Sequence, residues 1–263
     1  MGRSGEKGRD ELTGDGILFH AKYAFMPNTL GYCGPDAKGV ILEGLEGGRS
    51  RRDMVSSLQK FEAAYPFLKL IARNTGREVF DYEVPEAYWI GNELLDRVPA
   101  PDFYSFSHRE LEGKDHEEVR RLFRKLDGNA RPHHSFYVMS TYAASGHNDG
   151  PSIANESEKK IAGLIDNCRI SWGKVIEVGK GELRVRHRPL VITEGRLTLG
   201  GPSMRRVRYN SAVKPFGTVR KGDVVSLHWG YACDVLSATQ ALNIAKYTRS
   251  DLRQVNRFLE AEK

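Results

Sequence analysis

The 263-residue chain has only three cysteines, Cys33, Cys168 and Cys233, which are too few and too scattered for a disulfide framework. We therefore expect free thiols in a reducing compartment and a cytoplasmic location. No apolar run approaches the roughly 20 residues that a membrane-spanning helix needs, so a membrane protein is not expected. Residues 1–15 are glycine-rich and charged and lack the apolar segment of a signal peptide, which predicts a disordered tail.

Several common motifs are also missing. The sequence contains no Cys-x-x-Cys, no His-x-x-x-His, no P-loop and no Gly-x-Ser-x-Gly element. These absences argue against the usual zinc-site, nucleotide-hydrolase and serine-hydrolase signatures. The net charge of +6 permits a nucleic-acid or acidic-protein partner without requiring one.

Apolar periodicity divides the chain into two parts. Residues 16–165 have mainly helical spacing, with turns rich in glycine and proline. After residue 167, short alternating segments separated by glycines replace the helical pattern, as is typical of a small closed barrel. The sequence therefore predicts an α+β protein with a helical domain at 16–165, an OB-like β-barrel at 166–236 and a C-terminal helical segment at 237–263.

The same patterns predict individual elements. Helices are expected at about 37–45, 53–73, 85–98, 115–126, 132–144, 155–166, 237–247 and 249–260. Loops are expected at 99–113 and 145–152. Strands are expected at 174–178, 182–185, 190–193, 196–199, 205–209 and 224–229.

One thiol and one imidazole are the leading candidate metal ligands. Cys168 precedes the first predicted strand, and His228 lies in the last one. If the first and last strands close one barrel, Cys168 and His228 come close together. A thiolate beside an imidazole suits iron, zinc or a reactive carbonyl. The alternatives are a structural thiol and an ordinary strand histidine held by hydrogen bonds.

Cys33 is a second candidate, as a catalytic thiol. It lies between Gly31 and Gly34, just before a predicted helix start at Pro35 or Asp36. Exposed backbone N–H groups and the positive end of a helix dipole would lower the pKa of such a thiol. The alternative is a tight turn whose glycines serve the backbone.

The adjacent histidines His133 and His134 are candidates for metal ligands or for an acid/base. Neighbouring residues on a helix point about 100° apart, so adjacent histidines seldom bind one ion together. No carboxylate partner is identifiable in the sequence. They are therefore predicted to be surface or capping residues.

Three ordered sequence blocks between Cys168 and Tyr247 share a pattern with a known family. The first is a cysteine followed by a Gly-Lys strand start: Cys168, Ile170, Gly173, Lys174 and Val175. The second is a Gly-Gly strand with arginines: Gly200, Gly201, Arg205, Arg206 and Val207. The third surrounds a histidine: Gly222, Asp223, Val225, Leu227, His228, Gly230, Tyr231 and Ala232. In these residues the chain resembles the HypC/HupF family of nickel–iron hydrogenase maturation chaperones.

The resemblance implies an OB-like barrel that carries an iron fragment, Fe(CN)2CO, with an iron-loading scaffold protein and passes it to the hydrogenase large-subunit precursor. It implies that Cys168 binds the iron and that His228 is a nearby functional imidazole. Two departures stand out. Cys168 is internal, whereas the family cysteine becomes the N-terminal residue, and Trp172 replaces the family proline. Whether the barrel carries iron or only docks on a partner stays open.

These observations favour a hydrogenase maturation or assembly factor, more a chaperone than a catalyst. The N-terminal part, at 24–28 and 87–92, also resembles an uncharacterised bacterial family associated with hydrogenase genes. One alternative is an enzyme that makes or transfers an iron ligand through Cys33. Another is an OB-fold nucleic-acid-binding protein, since basic residues gather on the predicted barrel at Arg184, Arg186, His187, Arg188, Arg205, Arg206 and Arg208. Only Trp172 and Tyr209 supply aromatics there, so nucleic acid is the less favoured partner.

Overall fold

The computed structural model describes residues 15–110, 128–144, 154–211, 213 and 216–261. Within these residues the predicted α+β class is confirmed, because a mainly helical first part is followed by a closed β-barrel and a long C-terminal helix. The predicted helix at 115–126, the predicted loop at 145–152 and residues 1–14 of the predicted tail lie outside the described residues. Asp15 does not belong to a tail, since its carboxylate caps the first helix.

The helices are labelled α1 to α9 in chain order. They are Gly16–Thr29, Lys38–Leu45, Arg51–Leu58, Tyr65–Thr75, Glu83–Trp89, Ala100–Glu110, His134–Ala144, Ala154–Cys168 and Ala238–Ala261. Short 3-10 helices lie at Glu93–Arg97 and Phe216–Thr218. Among the helices that the structure describes, none combines the length and apolar character that crossing a bilayer requires.

The strands are labelled β1 to β7. They are Ser171–Val178, Glu182–His187, Leu190–Thr193, Arg196–Leu199, Ser203–Arg208, Val224–His228 and Tyr231–Val235. β7 was not among the predicted strands. It follows β6 through a two-residue turn in which both Trp229 and Gly230 have positive φ, at 51° and 72°, the backbone that a tight hairpin favours.

Three predictions about helices were wrong, and the first two errors involve proline. The single helix predicted at 53–73 is instead α3 and α4, separated by residues 59–64. Pro66 is in the first turn of α4, where its missing N–H is harmless, whereas inside a continuous helix it would clash with the preceding turn. The loop predicted at 99–113 contains α6, and Pro101 again lies in the first turn. The two predicted C-terminal helices are one, α9.

Five strands close the barrel in the order β1-β2-β5-β7-β6, and antiparallel pairing of β1 with β6 completes it. Its interior is filled by the apolar side chains Val175, Leu183, Val185, Val207, Phe216, Val225, Leu227 and Ala232. This closed five-stranded barrel is compatible with the predicted OB-like fold. β3 and β4 form a separate hairpin, which Asn256 of α9 holds by two hydrogen bonds, of 2.9 and 2.8 Å, to the backbone of Leu197.

A second, larger apolar core joins the N-terminal helices to α9 and to the β3–β4 hairpin. Helix α1 also contacts the barrel directly. Lys22 forms a 3.0 Å ion pair with Asp234 of β7, and the Tyr23 hydroxyl lies 2.9 Å from the Ser226 hydroxyl of β6. The helical part and the barrel therefore build one continuous structure around the end of β6.

We expect Gly91→Ala to lower the free energy of unfolding by about 3 kcal/mol, since overpacking and a left-handed backbone each contribute. Gly91 has a φ of 90°, and an added Cβ would lie 2.2 Å from the ring of Tyr247. Urea denaturation measures the change. Gly163→Ala is the matched control, because this helical glycine has open space around it and should gain about 0.5–1 kcal/mol. Equal stability of the two variants would contradict the packing of α9 against residue 91.

Candidate metal centre

Three potential metal ligands meet where three elements begin or end. Cys168 is the last residue of α8, His134 is the first residue of α7 and His228 is the last residue of β6. Their candidate ligand atoms all lie within 4.8 Å of one another. Cys168 and His228 thus come together as the sequence predicted. We call these three residues the His-Cys-His cluster.

Buried polar contacts fix the end of α8 that carries Cys168. The fully buried guanidinium of Arg169 donates to Asp166 Oδ1 from Nε at 3.0 Å and from Nη2 at 2.6 Å. The same carboxylate oxygen accepts the Leu190 backbone N–H at 3.0 Å, which ties α8 to β3. On the other side, the backbone N–H of Trp229 donates to the backbone carbonyl of Asn167 at 2.8 Å. This hydrogen bond joins the residue that precedes Cys168 to the residue that follows His228.

The tautomer of His228 follows from its hydrogen bond. Nδ1 lies 2.8 Å from the backbone carbonyl of Tyr23 in α1, and a carbonyl only accepts, so Nδ1 carries the proton. Nε2 is left with a free lone pair, and it is buried without a hydrogen-bond partner among the described residues. A buried unpaired acceptor costs about 1–3 kcal/mol. A metal ion bound at Nε2 would remove that cost.

His134 is held at both ring nitrogens. Nε2 lies 2.9 Å from the Cys168 carbonyl, and Nδ1 lies 3.1 Å from the hydroxyl of Tyr88, which itself lies 2.9 Å from the Ala63 carbonyl. In one tautomer Nε2–H donates to the Cys168 carbonyl, and the single proton of the Tyr88 hydroxyl faces both Nδ1 and the Ala63 carbonyl. The other tautomer donates from Nδ1 to Tyr88, which then donates to Ala63. In that second tautomer Nε2 carries no proton and can bind a metal, while the hydrogen bond from Nδ1 to Tyr88 still orients the ring.

Burial determines the protonation of the cluster. It lowers the pKa of His228 to about 4, against smaller opposing effects of the Tyr23 and Cys168 backbone carbonyls. Burial, and then the neighbouring His228, place the pKa of His134 well below its ordinary value. Burial and the charge of Cys33 raise the pKa of the Cys168 thiol to about 12. Both imidazoles are therefore neutral at pH 7, and a metal must displace the thiol proton to bind.

A cleft of about 740 Å³ has Cys33 in its wall. Its walls combine aromatic, small and polar side chains, and the described residues that line it are Tyr32, Cys33, Gly34, Pro35, Gln59, Lys60, Glu62, Ala63, Tyr65, Pro66, Phe67, Phe106, Ser107 and Tyr137. The charge of Cys33 contributes to the raised pKa of Cys168, so the two thiols are electrostatic neighbours. Ala63, whose carbonyl lies beside the Tyr88 hydroxyl, belongs to the same wall.

The predicted activation of Cys33 was wrong in direction. Burial raises the pKa of its thiol. The next helix begins only at Lys38, after an Ala37 cap that offers no side-chain hydrogen bond, so no helix start lies at Pro35 or Asp36. Asn28 instead fixes this turn by donating to the Cys33 carbonyl at 2.9 Å and to the Pro35 carbonyl.

The prediction that His133 and His134 lie on the surface was also wrong. His133 is fully buried, and its Nδ1 lies 2.6 Å from a carboxylate oxygen of Asp251 in α9. The two histidines do point apart, but each finds a partner. The carboxylate that sequence analysis failed to identify is 118 positions away along the chain.

Aromatic side chains enclose the cluster and were also missed. The Trp89 ring centroid lies 4.5 Å from that of His134 and 5.7 Å from that of His228, and its indole donates to Nδ1 of His20 at 2.8 Å. The ring of Trp229 packs against the ring of Tyr32, with 4.3 Å between the ring centroids. Its indole N–H favours the thiolate of Cys168, although the geometry falls short of a regular hydrogen bond. Trp229 holds this place with a positive φ, a strained backbone of the kind found at functional sites.

One thiol and two imidazoles form a donor set suited to zinc, iron, copper or nickel. Their burial fits such an ion, since a metal would use the unpaired Nε2 of His228 and compensate the thiolate charge. Three protein ligands leave a coordination position open, as in catalytic and transfer sites rather than in closed structural sites.

We expect Tyr88→Phe to weaken binding of a divalent metal about 10- to 100-fold, as is usual when an outer partner of a ligand histidine is removed. The change takes away the hydroxyl that orients His134. Competition with a chromophoric chelator measures the affinity. Tyr209→Phe is the control, because it removes a hydroxyl that donates to the Gly179 carbonyl on the barrel surface. An unchanged affinity in Tyr88→Phe would show that His134 does not ligate.

Comparison with known protein families gives a match over most of the chain. The family described as a family of unknown function (DUF6390) matches residues 12–262, and so covers both the helical part and the barrel. No curated protein and no solved structure matches the chain. Since the family match extends over nearly the whole sequence, the chain belongs to the DUF6390 family.

Proposed function

We propose that this protein binds a transition metal through Cys168, His134 and His228, and that it acts as a maturation or assembly factor for a nickel–iron hydrogenase. One observation carries the metal-binding part. A thiol and two neutral imidazoles converge within 4.8 Å in a buried site, and one imidazole nitrogen there has no partner among the described residues. Buried ligand groups with unmet bonding capacity are what a metal completes.

The hydrogenase part is supported by the sequence resemblance of the barrel. In this proposal the cargo is the Fe(CN)2CO fragment. Cyanide and carbonyl make its iron soft, and a thiolate such as that of Cys168 is the side chain best suited to hold it. The internal position of Cys168 removes any role for a free N-terminal amine. His134, supplied by the helical part, provides a further ligand in its place.

The cleft at Cys33 gives the proposal an entry path. A centre with three protein ligands needs access for its remaining ligand or for the acceptor of its cargo, and the cleft leads to the thiol next to Cys168. The hydrogenase large-subunit precursor or an iron-loaded scaffold protein would dock there, and a cytoplasmic location belongs to the same proposal. An enzyme that makes or transfers an iron ligand through Cys33 is the second candidate, favoured by the same position of this thiol.

Binding of single-stranded nucleic acid receives less support from the outer face of the barrel. Two of the arginines at issue have acidic neighbours, since Arg184 lies 3.6 Å from Glu177 and Arg206 lies 3.6 Å from Glu182. Arg205 turns towards Asp166 at 3.8 Å. The Tyr209 hydroxyl is used in a bond to the Gly179 carbonyl. The Tyr209 ring packs against Phe216, and Trp172 packs against the larger apolar core, so both aromatic side chains predicted as stacking platforms already have apolar contacts.

Anaerobic co-expression with a hydrogenase operon tests the hydrogenase part. The purified protein should show infrared bands of iron-bound cyanide and carbonyl, or should copurify with the large-subunit precursor, and Cys168→Ser should lose both. Cys33→Ser separates the two candidates. A chaperone keeps its cargo bands in that variant, whereas an enzyme that depends on Cys33 binds its partner but fails to mature the hydrogenase. Silent spectra together with no copurifying hydrogenase protein would refute the assignment.

A further inference from the structure

The end of the barrel that lies beside α8 is polar on its inner face. His187 of β2 lies two positions after the interior residue Val185, so its side chain points to the same side of the strand. Ser171 of β1 shares the inner face with Val175, four positions later. Arg169, between α8 and β1, completes the group. We call Arg169, Ser171 and His187 the barrel-mouth cluster, and neither the metal site nor the apolar interior accounts for it.

Strand register and one hydrogen bond bring the three side chains together. Gly173, two positions after Ser171, pairs with His187 across the ladder, which makes Ser171 and His187 diagonal neighbours on one face. The guanidinium of Arg169 donates to the Arg188 carbonyl at 3.3 Å, so it lies beside the residue that follows His187. An added Cβ at Gly173 would lie 3.2 Å from the Cβ of His187. The two strands therefore approach closely here, and the space between the three side chains suits a small occupant.

Two guanidinium groups share one carboxylate at this end of the barrel. Arg169 donates to Asp166 Oδ1 from Nε at 3.0 Å and from Nη2 at 2.6 Å, and Arg205 Nη1 lies 3.8 Å from Asp166 Oδ2. Among the residues that the structure describes, neither arginine forms an ion pair with another carboxylate. Arg169 is fully buried, whereas Arg205 is half-buried and marks the side that opens to solvent.

Each member of the barrel-mouth cluster has a buried polar atom that lacks a hydrogen-bond partner among the described residues. These atoms are Arg169 Nη1, Ser171 Oγ and His187 Nδ1, on residues that are 0, 1 and 7 % exposed. Nη1 can only donate, because arginine stays protonated in proteins. The Ser171 hydroxyl can donate as well. Burial lowers the pKa of His187, so its imidazole is neutral at pH 7 and can carry its proton at Nδ1. The cluster thus offers three unmet donors to one acceptor.

We propose that the barrel-mouth cluster binds a small monovalent anion, for which chloride is the simplest probe. An anion accepts a charge-assisted hydrogen bond from Arg169 Nη1, which is roughly twice as strong as a bond to a neutral acceptor. It also accepts from Ser171 and His187 without offering a proton that these donors would have to meet. The close approach of β1 and β2 at Gly173 favours an anion of this size over a larger one.

Chloride-35 NMR at pH 7.5 tests this assignment, with a metal chelator present so that no bound metal contributes and with gluconate to hold the ionic strength constant. The wild type should broaden the chloride resonance saturably, and bromide should reverse the broadening by competition. Ser171→Ala removes one donor and should weaken chloride binding at least about tenfold, as should His187→Phe. The matched control is Ser135→Ala, which makes the same change at a fully buried hydroxyl on α7 that also lacks a partner among the described residues. It should change the affinity less than about twofold.

Three results would overturn the proposal. The first is a chloride resonance that the wild type does not broaden, which would leave the barrel mouth to a buried water molecule. The second is equal weakening in Ser171→Ala and Ser135→Ala, since binding would then not depend on the cluster. The third is unchanged broadening in both Ser171→Ala and His187→Phe. The metal site is not involved in any of these readouts, because Cys168→Ser should bind chloride as the wild type does.

Discussion

Cys168→Ser will lower the affinity for Co(II) or Zn(II) by roughly two orders of magnitude or more. Four-ligand zinc sites bind with about 10–16 kcal/mol, or about 3 kcal/mol for each ligand, and a serine hydroxyl does not replace a thiolate. The sulfur-to-cobalt charge-transfer absorption of the loaded protein should disappear in the same variant. Titration under anaerobic conditions, followed by ultraviolet and visible absorption, measures both effects.

Cys233→Ser is the matched control, because it makes the same atomic change at a buried cysteine outside the His-Cys-His cluster. It should keep the charge-transfer band and an affinity close to that of the wild type. If Cys168→Ser keeps the band and Cys233→Ser or Cys33→Ser loses it, the sulfur ligand has been wrongly assigned. If Cys33→Ser and Cys168→Ser both reduce it, Cys33 supplies the remaining ligand.

Acidification from pH 7.5 to pH 5 will destabilise the metal-free protein, and two buried histidines will contribute about 4 kcal/mol to the loss. Burial lowers the pKa of His20 to about 3 and that of His228 to about 4, whereas both titrate near 6.5 when unfolded. Between these values the unfolded chain binds more protons than the folded one. Their contribution to stability is thus fully present above pH 6.5 and is lost as the pH falls, by about 2 kcal/mol for each histidine at pH 5.

Urea denaturation at a series of pH values checks this result. Three carboxylates with raised pKa values, Glu86, Asp234 and Asp251, act in the opposite direction, because each contributes stability as the pH falls below its folded pKa, and they reduce the loss that the histidines cause. Zinc binding displaces the thiol proton of Cys168, so the affinity for zinc decreases as the pH falls, and the zinc-loaded protein should lose more stability than the metal-free protein over the same range. A flat profile for the metal-free protein would show that these imidazoles are not buried as described.

The approach of Cys168 to His228 could be predicted because alternation identifies each strand locally, and closure of a barrel then pairs strands that are distant in the sequence. Alternation of apolar and polar residues, together with glycine turns, identified most of the strands. The pairing of β1 with β6 then brought Cys168, which precedes β1, close to His228 at the end of β6. The strand that sequence analysis missed, β7, is short and almost fully buried, so its residues do not alternate between apolar and polar.

His134 could not be found in this way. Its role depends on contacts from three distant segments: the Cys168 carbonyl, the Tyr88 hydroxyl and the position of His228. The rule that adjacent histidines seldom share an ion holds here, since His133 is bound to Asp251 instead. It did not follow that both lie on the surface. The pKa of Cys33 was predicted in the wrong direction for a related reason, because a turn in the sequence does not reveal the aromatic walls that bury it.

X-ray absorption spectroscopy of the zinc-loaded protein tests the central claim most directly. Coordination by Cys168, His134 and His228 predicts one sulfur at about 2.3 Å and at least two imidazole nitrogens at about 2.0–2.1 Å, at one zinc per chain. The sulfur shell should vanish in Cys168→Ser, and one imidazole should be lost in His134→Ala. A first shell of oxygen and nitrogen alone, or no stoichiometric zinc, would contradict the account.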